Sequence, residues 1–191
     1  MSVKVEEKNT VSSVLQTGES IRNGSGTVFY RVCKRCFDFV AAFVLGIILL
    51  IPMLLVALMI VMRDPGKPIY FQERLGKDGK LIKVAKFRSM KKNADKLEQM
   101  LTPEELEQYR KEYKLDQDPR LIGYKPGKNG KCFGELLRKG SVDELPQLWN
   151  ILLGNMSFVG PRPILPDELE DNYTPDERRE LLSVKPGLSG Y

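Results

Sequence analysis

Asp143 and Glu144 stand side by side in the run Ser141-Val142-Asp143-Glu144-Leu145-Pro146-Gln147-Leu148-Trp149-Asn150. Adjacent carboxylates can do two kinds of chemistry: one can act as a nucleophile, or both can hold a hard divalent cation through oxygen. The flanking residues predict a helix start. Ser141 and Glu144 have capping-box spacing; in the alternative register Asp143 is the cap and Pro146 lies in the first turn, where its missing N–H costs little. In either register the acids meet the positive end of a helix dipole, which favours their ionised form. Ordinary N-capping explains an acidic first turn equally well, so the surrounding residues must decide.

Those residues are basic. Lys86 and Arg88 alternate around Phe87 in a predicted strand, Leu81 to Met90, and so share the face opposite Phe87. Such a pair suits phosphates, although a solvated strand face has the same pattern. Arg138 and Lys139 end a short helix, Phe133 to Gly140, that leads directly into the acid pair. Arg162 sits between Pro161 and Pro163, whose restricted backbone suits a guanidinium held against a phosphate or a base. Asp118-Pro119-Arg120 predicts a turn. The chain contains no histidine, which excludes Ser-His triads and most zinc and haem sites. Its 3 cysteines, Cys33, Cys36 and Cys132, give neither a disulfide framework nor a four-thiolate zinc site. Cys33 and Cys36 adjoin an apolar run and read as small apolar filler.

The elements that must position these groups follow from hydrophobic patterning. With 191 residues the chain suits one domain, with room for an appendage. A net charge of +5 suits a lipid surface, a nucleotide or a nucleic acid. Residues 1 to about 27 are polar and predict a mobile tail; the apolar run comes too late for a signal peptide. Phe39 to Met62 carries no charge over about 24 residues, about 36 Å of helix, enough for a bilayer core of about 30 Å. Pro52 near its middle would bend the helix, and basic residues flank both ends: Arg31, Lys34 and Arg35 before, Arg63 and Lys67 after. A re-entrant hairpin, a single span and a buried soluble helix all remain open on these features. Asp38 could pair with Lys34 or Arg35. Ile69 to Arg74 predicts a strand and Leu75 to Lys80 a hairpin with an Asp-Gly turn. Asn93 to Lys114 is charged and helical in pattern, with Thr102-Pro103-Glu104-Glu105 as a start. A loop with Gly123, Pro126, Gly127 and Gly130 follows. Leu145, Leu148, Trp149 and Leu152 have core spacing on the helix after the acids, and residues 166–182 are partly helical.

Five stretches together resemble the bacterial sugar transferase family, the monotopic phosphoglycosyl transferases: Lys34-Arg35-Cys36-Phe37-Asp38, Lys86-Phe87-Arg88-Ser89-Met90, Asp118-Pro119-Arg120, Ser141 to Asn150, and Gly160-Pro161-Arg162-Pro163. The resemblance covers about Tyr30 to Tyr191. It departs where Leu121-Ile122-Gly123 follows the Asp-Pro-Arg turn, at Gly140, and in stopping at Tyr191, which suggests a short, catalytic-region-only form. It implies an α+β fold: a mostly helical cytosolic catalytic domain with a short β-hairpin, attached to a re-entrant membrane helix broken at Pro52. The expected bounds are 1–28 for the tail, 29–64 for the membrane hairpin and 65–191 for the catalytic domain.

The resemblance further implies transfer of sugar-1-phosphate from a UDP-sugar to undecaprenyl phosphate with release of UMP, at the bacterial inner membrane, in exopolysaccharide, lipopolysaccharide or capsule synthesis. Asp143 would be the nucleophile and Glu144 its partner, the pair also binding magnesium. Lys86, Arg88, Arg120 and Arg138 would contact phosphates, and Arg162 between Pro161 and Pro163 the nucleotide. Membrane lipid is an expected partner and a homodimer is compatible. The competing readings are a membrane-anchored scaffold with an impaired site and a nucleic-acid binder; the latter lacks interleaved aromatic and basic residues.

Overall fold

The computed structural model describes residues 25–94, 96–112, 115, 118–125 and 132–190. The predicted tail falls almost wholly outside these residues, as do Pro126, Gly127, Gly130 and Tyr191.

The chain begins with one long helix, α1 (Ser25–Arg63), which contains Pro52 and remains helical on both sides of it. The expected break at proline is therefore corrected: a single missing N–H can bend a helix without ending it when its neighbours keep their bonds. Among the described residues this is one helix long and apolar enough to cross a membrane. Most of its large side chains, Phe43, Ile47, Ile51, Leu54 and Leu58 among them, are exposed. One stripe is not. Ala42 and Leu49 pack into one core cluster with Val84, Leu148, Ile151 and Met156. Met53, Val56, Ala57 and Ile60 pack into a second with Phe87, Ile122 and Leu137. These positions recur at the helical period, so a single face of α1 lies along the body of the protein. Cys33 and Cys36 lie on its exposed side.

After α1 come β1 (Ile69–Leu75) and β2 (Leu81–Phe87), an antiparallel hairpin in which Tyr70 faces Lys86 and Arg74 faces Ile82. The Asp-Gly turn forms as predicted, with φ of 59° at Asp78 and 71° at Gly79. The stretch from Leu81 to Met90, read as a strand running into a loop, is strand up to Phe87. Two short helices follow, α2 (Leu97–Met100) and α3 (Pro103–Glu112). The predicted start of α3 is present: Thr102 Oγ1 accepts from the Glu105 amide and Glu105 accepts from the Thr102 amide.

Next are α4 (Phe133–Lys139), a 3-10 segment (Val142–Gln147) and α5 (Leu148–Leu153). The chain closes with β3 (Ser157–Val159), α6 (Pro166–Asn172), α7 (Pro175–Leu182) and β4 (Gly187–Ser189), the last pairing in parallel with β3. Trp149 does not join the core as its spacing suggested; it is 60% exposed, while Leu148 and Ile151 are buried and Asn150 binds β2. Two polar residues, Gln147 and Asn150, take the inward positions. Asn150 Nδ2 donates to Lys83 O at 2.7 Å and its Oδ1 accepts from the Ala85 amide at 3.0 Å, tying α5 to the strand that carries Lys86.

Both ends of the uncharged stretch of α1, residues 39–62, are fixed to this body. At one end buried Asp38 accepts from Lys34 Nζ at 2.8 Å and from Ser157 Oγ at 2.8 Å, so the predicted pairing is with Lys34 and extends to β3. Arg35 donates to the carbonyls of Ile151 and Leu152 at 2.6 and 2.7 Å, completing the C-terminus of α5. At the other end the Arg63 guanidinium lies 4.3 Å from the Phe133 ring centre and Asp64 binds Arg88 at 2.7 Å.

Candidate active site

The acid pair sits in the first turn of the 3-10 segment rather than at the start of an α-helix. Ser141 adopts φ 51° and its side chain makes no capping bond, so the expected capping box is absent. With Ser141 left-handed, its backbone turns the chain out of α4 and directly into the tight 3-10 turn. The Asp143 carboxyl is held above the usual carboxylate range, chiefly by burial and further by the Glu144 charge; Lys86 and Arg138 pull the other way. At Asp143, burial therefore opposes the ionised form that a helix dipole was expected to favour. A short 3-10 turn offers little dipole, and desolvation outweighs it.

Around the pair lies a cleft of about 1430 Å³. Lys86 enters it from β2 and donates to Glu144 Oε1 at 2.9 Å. Arg138 enters from α4. Its Nε donates to Ser89 Oγ at 3.0 Å, and the helix can approach this closely because residue 134 is glycine: a Cβ there would stand 2.2 Å from Ser89 O. Pro161, Arg162 and Pro163 line the far side. Their loop packs backbone to backbone on the C-terminal segment, where a Cβ on Gly160 would meet Lys185 O at 2.4 Å.

Asp143, Glu144, Lys86, Arg138 and Arg162 thus converge on one cleft, as their types suggested. Two further predicted cations line it but are engaged elsewhere. Arg88 holds both the carboxylate and the backbone carbonyl of Asp64. Arg120 is buried, bidentate on Asp118 with both bonds at 2.8 Å, and stacked 4.4 Å from the Tyr109 ring centre. These two brace the walls through which the others reach.

Tyr70, Gln72, Arg74 and Glu168 also line the cleft and were not singled out from the sequence. The signal was available: Tyr70, Gln72 and Arg74 alternate on β1 as Lys86 and Arg88 do on β2, and so share a face. Burial raises the Tyr70 phenol, which keeps it a hydrogen-bond donor at neutral pH.

The site thus sets two carboxylates among lysine and arginine side chains, donors that suit phosphate oxygens, in a protein with one long apolar helix. A family model described as bacterial sugar transferase matches residues 29–191, and the chain belongs to that family. It is similar to a UDP-galactose-lipid carrier transferase of Erwinia amylovora, 42% identical over 163 residues that cover 84% of this chain and 32% of that protein. It also resembles an undecaprenyl-phosphate galactose phosphotransferase of Salmonella typhimurium, 39% identical over 173 residues, 89% of this chain and 34% of the other. The exopolysaccharide production protein ExoY of Sinorhizobium fredii is 40% identical over 164 residues, 83% of this chain and 67% of that protein. The chain therefore spans about a third of the length of the first two relatives.

Proposed function

We propose that the protein is a phosphoglycosyl transferase that moves sugar-1-phosphate from a UDP-sugar to undecaprenyl phosphate and releases UMP. The observation that carries this reading is the convergence of Asp143 and Glu144 with Lys86, Arg138 and Arg162 in one cleft beside α1.

An Asp143 carboxylate oxygen attacks the phosphorus that bears the sugar. The bond from that phosphorus to the bridging oxygen breaks, and UMP departs with the electron pair. An oxygen of undecaprenyl phosphate then attacks the same phosphorus, the bond to Asp143 breaks, and the carboxylate is restored. Burial supports the nucleophile role, because a less hydrated carboxylate is more reactive. Lys86 and Arg138 hold the phosphate oxygens, and Glu144, braced by Lys86, assists the acceptor. The donor set of two adjacent carboxylates fits magnesium, which commonly takes one or two carboxylates plus substrate phosphates. Asp143 and Glu144 would hold it, and it would offset the phosphate charge.

α1 is read as a re-entrant membrane element that seats the catalytic domain on the cytoplasmic face of the inner membrane. Support comes from the two flanks of its uncharged stretch, which attach to the same body through Asp38 and Ser157 before it and Arg63, Asp64, Phe133 and Arg88 after it. Residues 30 and 67, each changed to cysteine, are expected to label from the same side of sealed vesicles; labelling from opposite sides contradicts the re-entrant path.

The reaction is tested with purified protein, undecaprenyl phosphate, magnesium and a panel of UDP-sugars. UMP release with at least one donor, coupled to sugar-phosphate on the lipid, is the expected result. Absence of release across UDP-glucose, UDP-galactose and their N-acetylated relatives would exclude the proposed donor class.

A further inference from the structure

Arg74 plays no part in the chemistry above, yet it stands at the centre of a second cationic group in the cleft. It follows Tyr70 and Gln72 along one face of β1, four residues beyond the position opposite Lys86, or about 14 Å at about 3.4 Å per residue. Its guanidinium donates to Gln72 Oε1 at 2.9 Å and to Pro163 O at 3.3 Å. The carbonyl it holds belongs to the residue after Arg162, and the Leu75 amide donates to Ile164 O at 2.9 Å, so β1 and the Arg162 loop are joined at this point. Arg162 also lines the cleft, one residue before the carbonyl that Arg74 binds; burial, with the Arg162 charge adding to it, holds Arg74 below its usual range. The negative group paired with Arg74 is Glu168, 3.6 Å away and itself partly exposed in the cleft, with Glu144 adding a weaker attraction.

Two like charges gathered in a cleft with a loose, half-solvated counter-ion describe a site for a mobile anion. We propose that Arg74 and Arg162 form a second anion subsite that binds the phosphate leaving with the nucleoside, and that Glu168 occupies the place of its charge when the subsite is empty. The subsite rests on the donor reading given above. Lys86 and Arg138, by contrast, neighbour Asp143 and are the residues assigned above to the transferred phosphate. Tyr70 lies between the two groups, close to both Asp143 and Arg74.

The test is calorimetric binding of UMP, with uridine as the phosphate-free control, to wild type, Arg74→Gln and Glu168→Gln. Arg74→Gln is expected to weaken UMP by about tenfold or more, the scale of a lost charge-assisted pair. Glu168→Gln keeps the acceptor that binds the Leu165 amide but loses the competing charge. It is expected to tighten UMP by about two- to fivefold, the scale of a partly exposed ion pair. A misfolded variant cannot gain affinity, so this second arm separates binding from damage. Uridine affinity is expected to stay the same in all three. Unchanged or weaker UMP binding by Glu168→Gln, or equal changes for uridine, would overturn the subsite while leaving the donor reading intact. Failure of the wild type to bind UMP would overturn both.

Discussion

Asp143→Asn is expected to reduce UMP release by at least about a thousandfold, because removal of a nucleophile eliminates the covalent route rather than weakening it. The same substitution is expected to raise thermal stability at neutral pH. The sign follows from the carboxyl, whose folded pKa lies above its ordinary value of 3.8, mainly through burial. The unfolded chain therefore loses this proton at lower pH than the folded one, and the fold is penalised as pH rises through that window and beyond. A neutral amide removes the penalty. A differential melting scan at pH 7 and at pH 3.5 checks this: the gain appears at pH 7 and shrinks at the acid end. Activity of the wild type should correspondingly rise with pH through the folded pKa. A protein that loses activity and gains stability on one substitution is storing cost at its reactive group.

Asn150→Ala is expected to destabilise the fold by about 3 to 5 kcal/mol. Asn150 is buried and satisfies two backbone groups of β2, the Lys83 carbonyl and the Ala85 amide. Truncation leaves both buried without partners, at about 1–3 kcal/mol each. Asn150→Asp keeps one acceptor but turns the other oxygen toward Lys83 O, so it should also destabilise. Denaturant unfolding in detergent measures the loss. Because the same strand carries Lys86, residual folded protein should bind donor less tightly. A loss below about 1 kcal/mol would mean that α5 and β2 are joined by packing alone.

These two residues also mark the limits of what the sequence discloses. Local signals came through: the Asp-Gly turn between β1 and β2, and the Thr102–Glu105 capping box that opens α3. So did the set of charged residues, because Asp143, Glu144, Lys86, Arg138 and Arg162 stand in short motifs whose spacing carries meaning. Long-range pairing did not. Nothing near Asn150 announces that its amide will bind a strand 65 residues away. Trp149 has core spacing, yet one turn of α5 serves β2 with one face and α1 with another, leaving Trp149 outside. The capping box at Ser141 failed because a residue at φ 51° cannot also present a capping side chain. At Asp143 the difference is energetic: burial is set by tertiary packing, and it pulls against the ionised form that the local sequence favours. Arg74 carries the same alternation signal along β1, with Tyr70 and Gln72, that Lys86 and Arg88 carry along β2. Arg88 and Arg120 show the reverse, since their partners Asp64 and Asp118 become visible only in three dimensions or at close range.

The claim that Asp143 forms a covalent bond to the sugar phosphate is tested most directly by intact-protein mass spectrometry after incubation with a turnover-competent UDP-sugar and magnesium, without lipid acceptor. The expected result is a mass increase equal to one sugar-phosphate, mapped to Asp143, absent from Asp143→Asn and discharged when undecaprenyl phosphate is added. Active protein that accumulates no adduct and releases UMP only when donor and acceptor are both present would contradict it, pointing to direct transfer between the two substrates.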